Sequence, residues 1–482
     1  MKSSTLLFFF ALCLNSCFNN QSSIAKTFST DKLREDLSVM KGIITRAHAG
    51  AYAYNTPAQL NALFDSVSQS VNGPLTMREF YNKIDIINER LKCVHSRTIL
   101  PDEYYDSIYK KNFFFPIPLI DIDDKLYINS TAYTIPLGAE ILTINETGSK
   151  DIIKQLGNYY HVDGYGSMAK SCVVDEGFSF YYYLAYGPSA SFIITYKQKG
   201  KDDVKTFNLN ATSMKMVEDD LYADTYYFFP GDAKYDLEIK DETKTAILTL
   251  RSFFFDTYST STAFSHFVAN SFRLIRQNKI KNLVIDCRNN TGGYYKNVYP
   301  LLSYLVNKNL PEYDSAIRRF YQLPFPEYVD VSDTGRIVDL DTTAYKFSEI
   351  RKGVYAQKTD DIEKWGPNDY VYKGKLFLIV NGNTMSAAST FAAVLKDKTN
   401  VLVVGEETRG GYEAHNADVL TYVLPNSRIK IDVPLLRYYQ PVVNKSYRQG
   451  VVPDHDVPYT VAEMVSNTDK QLDYIFDSVI LR

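Results

Sequence analysis

The chain has 482 residues, 45% of them apolar and 23% charged, with a formal net charge of −3. Such a composition belongs to a folded protein with large buried cores and room for about three domains. No long basic run appears, which argues against nucleic acid as a partner. Tyrosine is frequent, with 39 residues beside 28 Phe and one Trp. That abundance suggests tyrosine-lined grooves, although tyrosine also suits strands.

Residues 1–16 read as a targeting segment. Lys2 supplies the charge, Leu6 to Leu14 the apolar stretch, and Leu14-Asn15-Ser16-Cys17 the cleavage site. The pattern is similar to a bacterial lipoprotein signal peptide, with Cys17 as the acylated first residue of the mature chain. A plain signal peptide cut near the same point is the alternative. The expected location is the cell envelope, as an outer-membrane lipoprotein facing the periplasm or the cell surface, held to the membrane by its lipid anchor. No later segment reaches the ~20 apolar residues of a membrane span. Residues 17–29 form a polar tether. Cys93, Cys172 and Cys287 are too few and too scattered for a disulfide framework or a zinc site, and at most one pair bridges. No metal or cofactor is expected.

Residues 30–100 read as a helical unit. Leu33, Leu37, Met40 and Ile44 share one face, Leu60, Leu63, Phe64 and Val67 a second, and Phe80, Ile84 and Ile87 a third. Thr76 to Glu79 fits a capping box. The unit closes on Cys93-Val94-His95-Ser96-Arg97-Thr98, where His95 is either a structural histidine or a general base. Residues 101–234 turn to short strands at Leu126–Ile128, Ile135–Asn145 and Ser191–Tyr196. The Gly138 to Asn145 segment resembles the phrase of PDZ domains in which a glycine loop leads into the strand that sets a peptide groove. A plain β-rich spacer is the other reading of this region.

Residues 235–460 carry a strand–helix–strand alternation: Thr245–Leu250, Phe264–Ile275 and Asn282–Asp286, then the Gly292-Gly293 loop. The polar stretch 311–369 reads as an insertion over this core. Leu376 to Val380 is an unbroken apolar run, the pattern of a strand covered on both faces. The turn Asn381-Gly382-Asn383-Thr384 follows, and from Ser386 an alanine-rich helix begins. Ser386 thus stands at a strand-to-helix turn, with free N–H groups and the positive helix end beside it. Serines at such turns commonly cap a helix, and the same place suits a nucleophile whose reaction generates an oxyanion. Residues 461–482 read as a C-terminal helix.

The phrases of the core resemble those of the serine peptidase family that holds the C-terminal-processing (tail-specific) proteases and the tricorn protease core. Leu283-Val284-Ile285-Asp286-Cys287-Arg288-Asn289-Asn290-Thr291-Gly292-Gly293 carries the likeness, as do Thr384-Met385-Ser386-Ala387-Ala388-Ser389, Val403 to Gly411 and Gly450-Val451-Val452-Pro453-Asp454. The resemblance implies an α/β core of the ClpP/crotonase-like type within a multidomain α+β chain, with an N-terminal helical unit and a PDZ-like β segment. It makes Ser386 the nucleophile, and Ala387 N–H with Gly292 or Gly293 N–H the oxyanion hole. Tail-specific proteases use a lysine base, but the matching position here is Gly411, and no lysine occurs between Lys398 and Lys430. The tricorn branch uses an upstream histidine, and Cys93-Val94-His95-Ser96 is similar to that phrase, so His95 becomes the base. An unperturbed imidazole would raise the rate with pH through roughly 6 to 7.5. Glu406 and Ser96 are the candidates for orienting it. The implied function is serine-type hydrolysis of peptides or proteins. The alternative is an inactive peptide- or ligand-binding lipoprotein on the same fold. The sequence carries no signal of oligomeric state.

Overall fold

The computed structural model describes residues 24–166, 170, 172–218, 234–254, 262–443 and 448–480. The expected signal peptide and Cys17 lie outside the described residues, as does the tether up to residue 23. No helix among the described residues is long and apolar enough to cross a membrane.

The α/β core is a six-stranded sheet in the order Tyr235–Lys240, Thr245–Leu250, Asn282–Asp286, Lys375–Val380, Leu402–Gly405 and His455–Asp456. The first pair is antiparallel and the others run parallel. Alternation explains the unbroken apolar runs. Leu248, Leu283, Ile285, Leu378 and Val380 pack under the helices Thr262–Gln277 and Ala387–Lys398. Ile247, Val284, Phe377 and Ile379 pack with Val457 and Ile475 on the opposite face. Both faces are dry, so both sets of side chains are apolar. This is the α/β core expected from the sequence.

Residues 311–369 are more than an insertion. They supply the strands Ser315–Arg318, Phe347–Arg351 and Val354–Gln357 to a second six-stranded sheet, built on the long hairpin Ala414–Val423 and Lys430–Tyr439. The outer strand Phe347–Arg351 is mostly exposed, so it lacks the clean alternation that betrays a strand. The sixth strand, Arg97–Ile99, comes from the N-terminal unit and pairs antiparallel with Lys430–Asp432. One apolar core therefore joins the helices Thr30–Ala47, Pro57–Ser70 and Met77–Leu91 to Leu420, Ile431 and Val433 of this sheet. Thr76 forms its capping box with Glu79.

The middle sheet runs Leu119–Ile122, Lys125–Ile128, Glu140–Ile144, Ser191–Lys197 and Lys205–Asn210. The strand after Gly138 is paired on both sides, with Lys125–Ile128 and Ser191–Lys197. It has no free edge to offer a peptide, which corrects the groove expected there. The tyrosine-rich stretch forms the helix Cys172–Tyr186, and Tyr160, Tyr182 and Tyr183 are buried in the core instead of lining grooves. Residues 461–480 form two short helices, Val461–Ser466 and Lys470–Ile475, and a π turn instead of one helix. Asn467 takes a left-handed conformation that ends the first, and Asp469 accepts from Leu472 N–H to start the second. Cys93, Cys172 and Cys287 are free and buried.

Arg288, 2% exposed, fastens this C-terminal segment to the core. Its guanidinium donates to Asp286 at 2.7 Å, to Asp469 at 2.7 Å and to the Tyr459 hydroxyl at 2.6 Å. Burial raises the Asp286 carboxyl, but Arg288 and then Arg251 outweigh it and hold it well below the usual range. Replacing Arg288 by Ala removes the nearer of two guanidinium partners from a buried carboxylate and leaves only Arg251. The expected loss is about 3–5 kcal/mol of unfolding free energy, read from the denaturant midpoint. A loss below about 1 kcal/mol would place this network with ordinary surface pairs.

Candidate active site

The site lies beyond the carboxyl ends of the core strands, where open α/β sheets bind ligands. Two strand-end loops are tied together there. Thr384 Oγ1 donates to Cys287 O at 3.0 Å, Asn381 Nδ2 to Asn289 Oδ1 at 2.7 Å, and Met385 N–H to Asn290 O at 3.1 Å. Between them Ser386 is held at φ 55°, ψ −127°. A non-glycine residue there costs about 1–3 kcal/mol and persists only where its surroundings enforce it. It is the strained strand-to-helix turn that presents a nucleophile at the head of a helix.

His95 reaches Ser386 from a chain position 291 residues away, its Nε2 standing 3.2 Å from Ser386 Oγ. The helix Met77–Leu91 ends at Lys92 in a left-handed cap, and a turn closed by Ser96 N–H to Cys93 O at 3.1 Å carries the imidazole. The strand Arg97–Ile99 then fixes the turn, with Arg97 Nε and Nη2 donating to Asp432 Oδ2 at 2.9 and 2.6 Å. Burial, then the nearby His415, Arg97 and Arg409, push His95 down to about 3. Its ring is neutral above that pH. Nδ1 is buried and has no hydrogen-bond partner among the described residues.

The two residues expected to orient His95 do not bond to it. Ser96 Oγ lies 2.7 Å from His48 Nε2. Glu406 is buried and pushed up to about 7, first by burial and then by Asp456. Lys396 donates to Asp454, Lys398 pairs with Asp397 and Lys430 with Asp102. At Gly411, where the resemblance would put a lysine, a Cβ would stand 2.4 Å from Ala414 O.

Gly292 approaches Ser386 closely. It has φ +95°, and a Cβ on it would lie 2.6 Å from Ser386 Cβ and 2.9 Å from Ala387 N. Its N–H is taken by Asn290 Oδ1 at 2.9 Å. Among the described residues no hydrogen bond uses the Ala387 or Gly293 N–H. A cavity of about 370 Å³ opens beside these loops. Asn289, Thr291 and Asn383 form its core wall, and Leu119, Val174 and Phe178 are among the apolar residues facing them.

Residues with no motif to announce them also belong here. His415, 7% exposed, lies 3.5 Å from Thr390 Oγ1, and burial followed by Arg437 pushes it down to about 4. His161 Nδ1 lies 2.7 Å from Ser96 O, and Arg409 Nε donates to His161 O at 2.8 Å. Asp163 joins the same network. The one signal in the sequence is Gly164, whose φ is +77° and where a Cβ would meet Arg448 O at 2.2 Å. No group of three or more His, Cys, Asp or Glu able to hold a metal occurs among the described residues.

Residues 244–457 match the family described as Peptidase family S41. The match spans 214 of the chain's 482 residues and makes this core similar to that peptidase family. An uncharacterized protein of Chlamydia muridarum is 30% identical over 162 residues, covering 27% of this chain and 27% of that protein. Among solved structures, mature CPAF gives a TM-score of 0.62 at 16% identity, over 93% of this chain and 96% of its own. A CPAF mutant gives 0.65 at 15% identity, over 94% and 98%. The likeness to CPAF is therefore one of fold and extends well beyond the core. In this core, Gly292→Ala would push the loop off the serine. The expected outcome is labelling of Ser386 by a fluorophosphonate probe slowed about 100-fold or more in a folded protein. An unchanged labelling rate would remove the glycine loop from the site.

Proposed function

We propose that the protein is a serine peptidase that cleaves peptides or proteins with Ser386 as nucleophile and His95 as general base. The carrying observation is the 3.2 Å approach of His95 Nε2 to Ser386 Oγ at a strained turn. His95 Nε2 takes the hydroxyl proton as Ser386 Oγ adds to the scissile carbonyl carbon. The oxyanion is met by the Ala387 N–H at the head of the helix and by the N–H of Gly293, with Gly292 giving the clearance. His95 then gives its proton to the departing amine. Water, deprotonated by the same nitrogen, hydrolyses the acyl ester. The cavity beside the loops suits an apolar side chain of the substrate.

Because His95 is held near pH 3, its own limb in the rate profile moves far below the 6 to 7.5 of an unperturbed imidazole. A base that must be neutral is already so throughout the neutral range. Ser386→Ala is expected to abolish both turnover and probe labelling. His95→Gln should lower kcat by about 10³- to 10⁴-fold, and the double variant should be little worse, since the pair acts as a unit. The unpartnered His95 Nδ1 favours a second reading, an inactive binding protein, and wild-type protein left unlabelled by the probe would establish it.

The location we propose is the cell envelope, with Cys17 lipidated, a reading supported by the signal-like residues 2–17. Acyl chains and not a spanning helix would then hold the protein, so Cys17→Ser should move it from the membrane to the soluble fraction. Unaltered membrane association in that variant would point to another attachment.

A further inference from the structure

We propose that Asp163 is a positioning residue that clamps the base to the nucleophile, one carboxylate oxygen holding the His95 turn and the other the loop packed on Ser386. This rests on the assignment of Ser386 and His95 made above. Asp163 is 2% exposed. Its Oδ1 accepts from Val94 N–H at 3.0 Å and its Oδ2 from Gly411 N–H at 3.1 Å. Val94 directly precedes His95. Gly411 follows Gly410, where a Cβ would stand only 2.9 Å from Ser386 N. Backbone bonds complete both arms. Asp163 N–H donates to Arg409 O at 3.0 Å, Arg409 N–H to Thr384 O at 3.0 Å, and Gly164 N–H to Lys92 O at 3.1 Å. A carboxylate accepts at both oxygens, so it serves two N–H donors at once. An amide or a protonated acid offers one oxygen and turns a donor toward the other N–H.

Burial pushes Asp163 up to about 6 against the pull of the Val94 and Gly411 N–H groups, Arg437 and Arg409. Tyr54 and Cys93 also face it, and burial raises both above their ordinary values. Asp163 thus changes charge near pH 6, with Glu406 following near 7, and the clamp loosens as Asp163 takes up a proton. His95 stays neutral across that range.

The test is kcat and KM on a peptide substrate from pH 5 to 8, with thermal unfolding followed alongside. Wild-type kcat should fall with pH below about 6. Asp163→Asn should lower kcat at pH 8 by about 10- to 100-fold, leave KM and melting temperature close to wild type, and lose the limb near 6. Asp163→Glu, which keeps the charge on a longer arm, should also lower kcat but keep an acid limb. Wild-type kcat in Asp163→Asn overturns the clamp, as does a limb that persists near 6 or activity lost only in step with folded protein. A wild-type protein that the fluorophosphonate leaves unlabelled overturns the peptidase reading and the clamp together. A labelled wild type with an unmoved Asp163→Asn profile overturns the clamp alone.

Discussion

The site depends on the antiparallel pairing of Arg97–Ile99 with Lys430–Asp432. His95 and Ser386 come from units nearly three hundred residues apart, and a 3.2 Å contact tolerates little drift between them. Apolar packing alone holds two bodies together without fixing their register. A strand pairing does fix it, because a slip of one residue would turn every side chain to the other face. Arg97 strengthens this register through its two bonds to Asp432. His95 lies two residues before that strand, close enough to inherit its position.

Ser386 is placed by the opposite means, local conformations that the backbone resists. Ser386 is left-handed, Gly292 and Gly405 have positive φ, and Asn289 shares that region. Each is tolerable because it is anchored. Gly405 ends a parallel strand and would meet Val380 O at 2.1 Å with a Cβ, and Asn289 is bonded to Asn381 and Asn383. The buried sheet beneath makes these loops stiff. Strain of about 1–3 kcal/mol per residue is affordable where a large dry core surrounds the strand ends.

Much of this was legible from residue order. The apolar runs Leu283–Ile285 and Leu376–Val380, the Thr76–Glu79 capping box and the strand-to-helix turn at Ser386 are local signals, and they became the elements they announced. The approach of His95 to Ser386 rested on resemblance, since no periodicity links positions so distant. What stayed hidden was non-local. The strands within 311–369 are short and half exposed, and they exist because the hairpin 414–439 offers them an edge. The strand after Gly138 was read for its glycine loop, but pairing on both sides, which decides whether a groove exists, is a tertiary fact. Asp163 sits in a tyrosine-rich stretch without a pattern, and its importance comes from two N–H groups delivered by other loops.

The electrostatics of the site follow from its dryness. His48, His95 and His415 are all pushed down by burial, to about 3, 3 and 4, so the ground state keeps three neutral rings. A Ser-His-Asp triad stabilises its imidazolium with a carboxylate on the far nitrogen. Here that nitrogen is buried without an acceptor among the described residues. For Nε2 to accept the serine proton, Nδ1 must carry the ring proton, buried with no acceptor among those residues to receive it. The counter-charge for the imidazolium must then arrive with the reaction. An oxyanion about 4 Å away supplies about 4 kcal/mol at an effective dielectric constant of 20. Imidazolium and oxyanion therefore form as a pair or not at all. Such a base has little reason to ionise Ser386 before a carbonyl is seated between the glycine loop and the helix, and bound substrate becomes part of the electrostatic machinery.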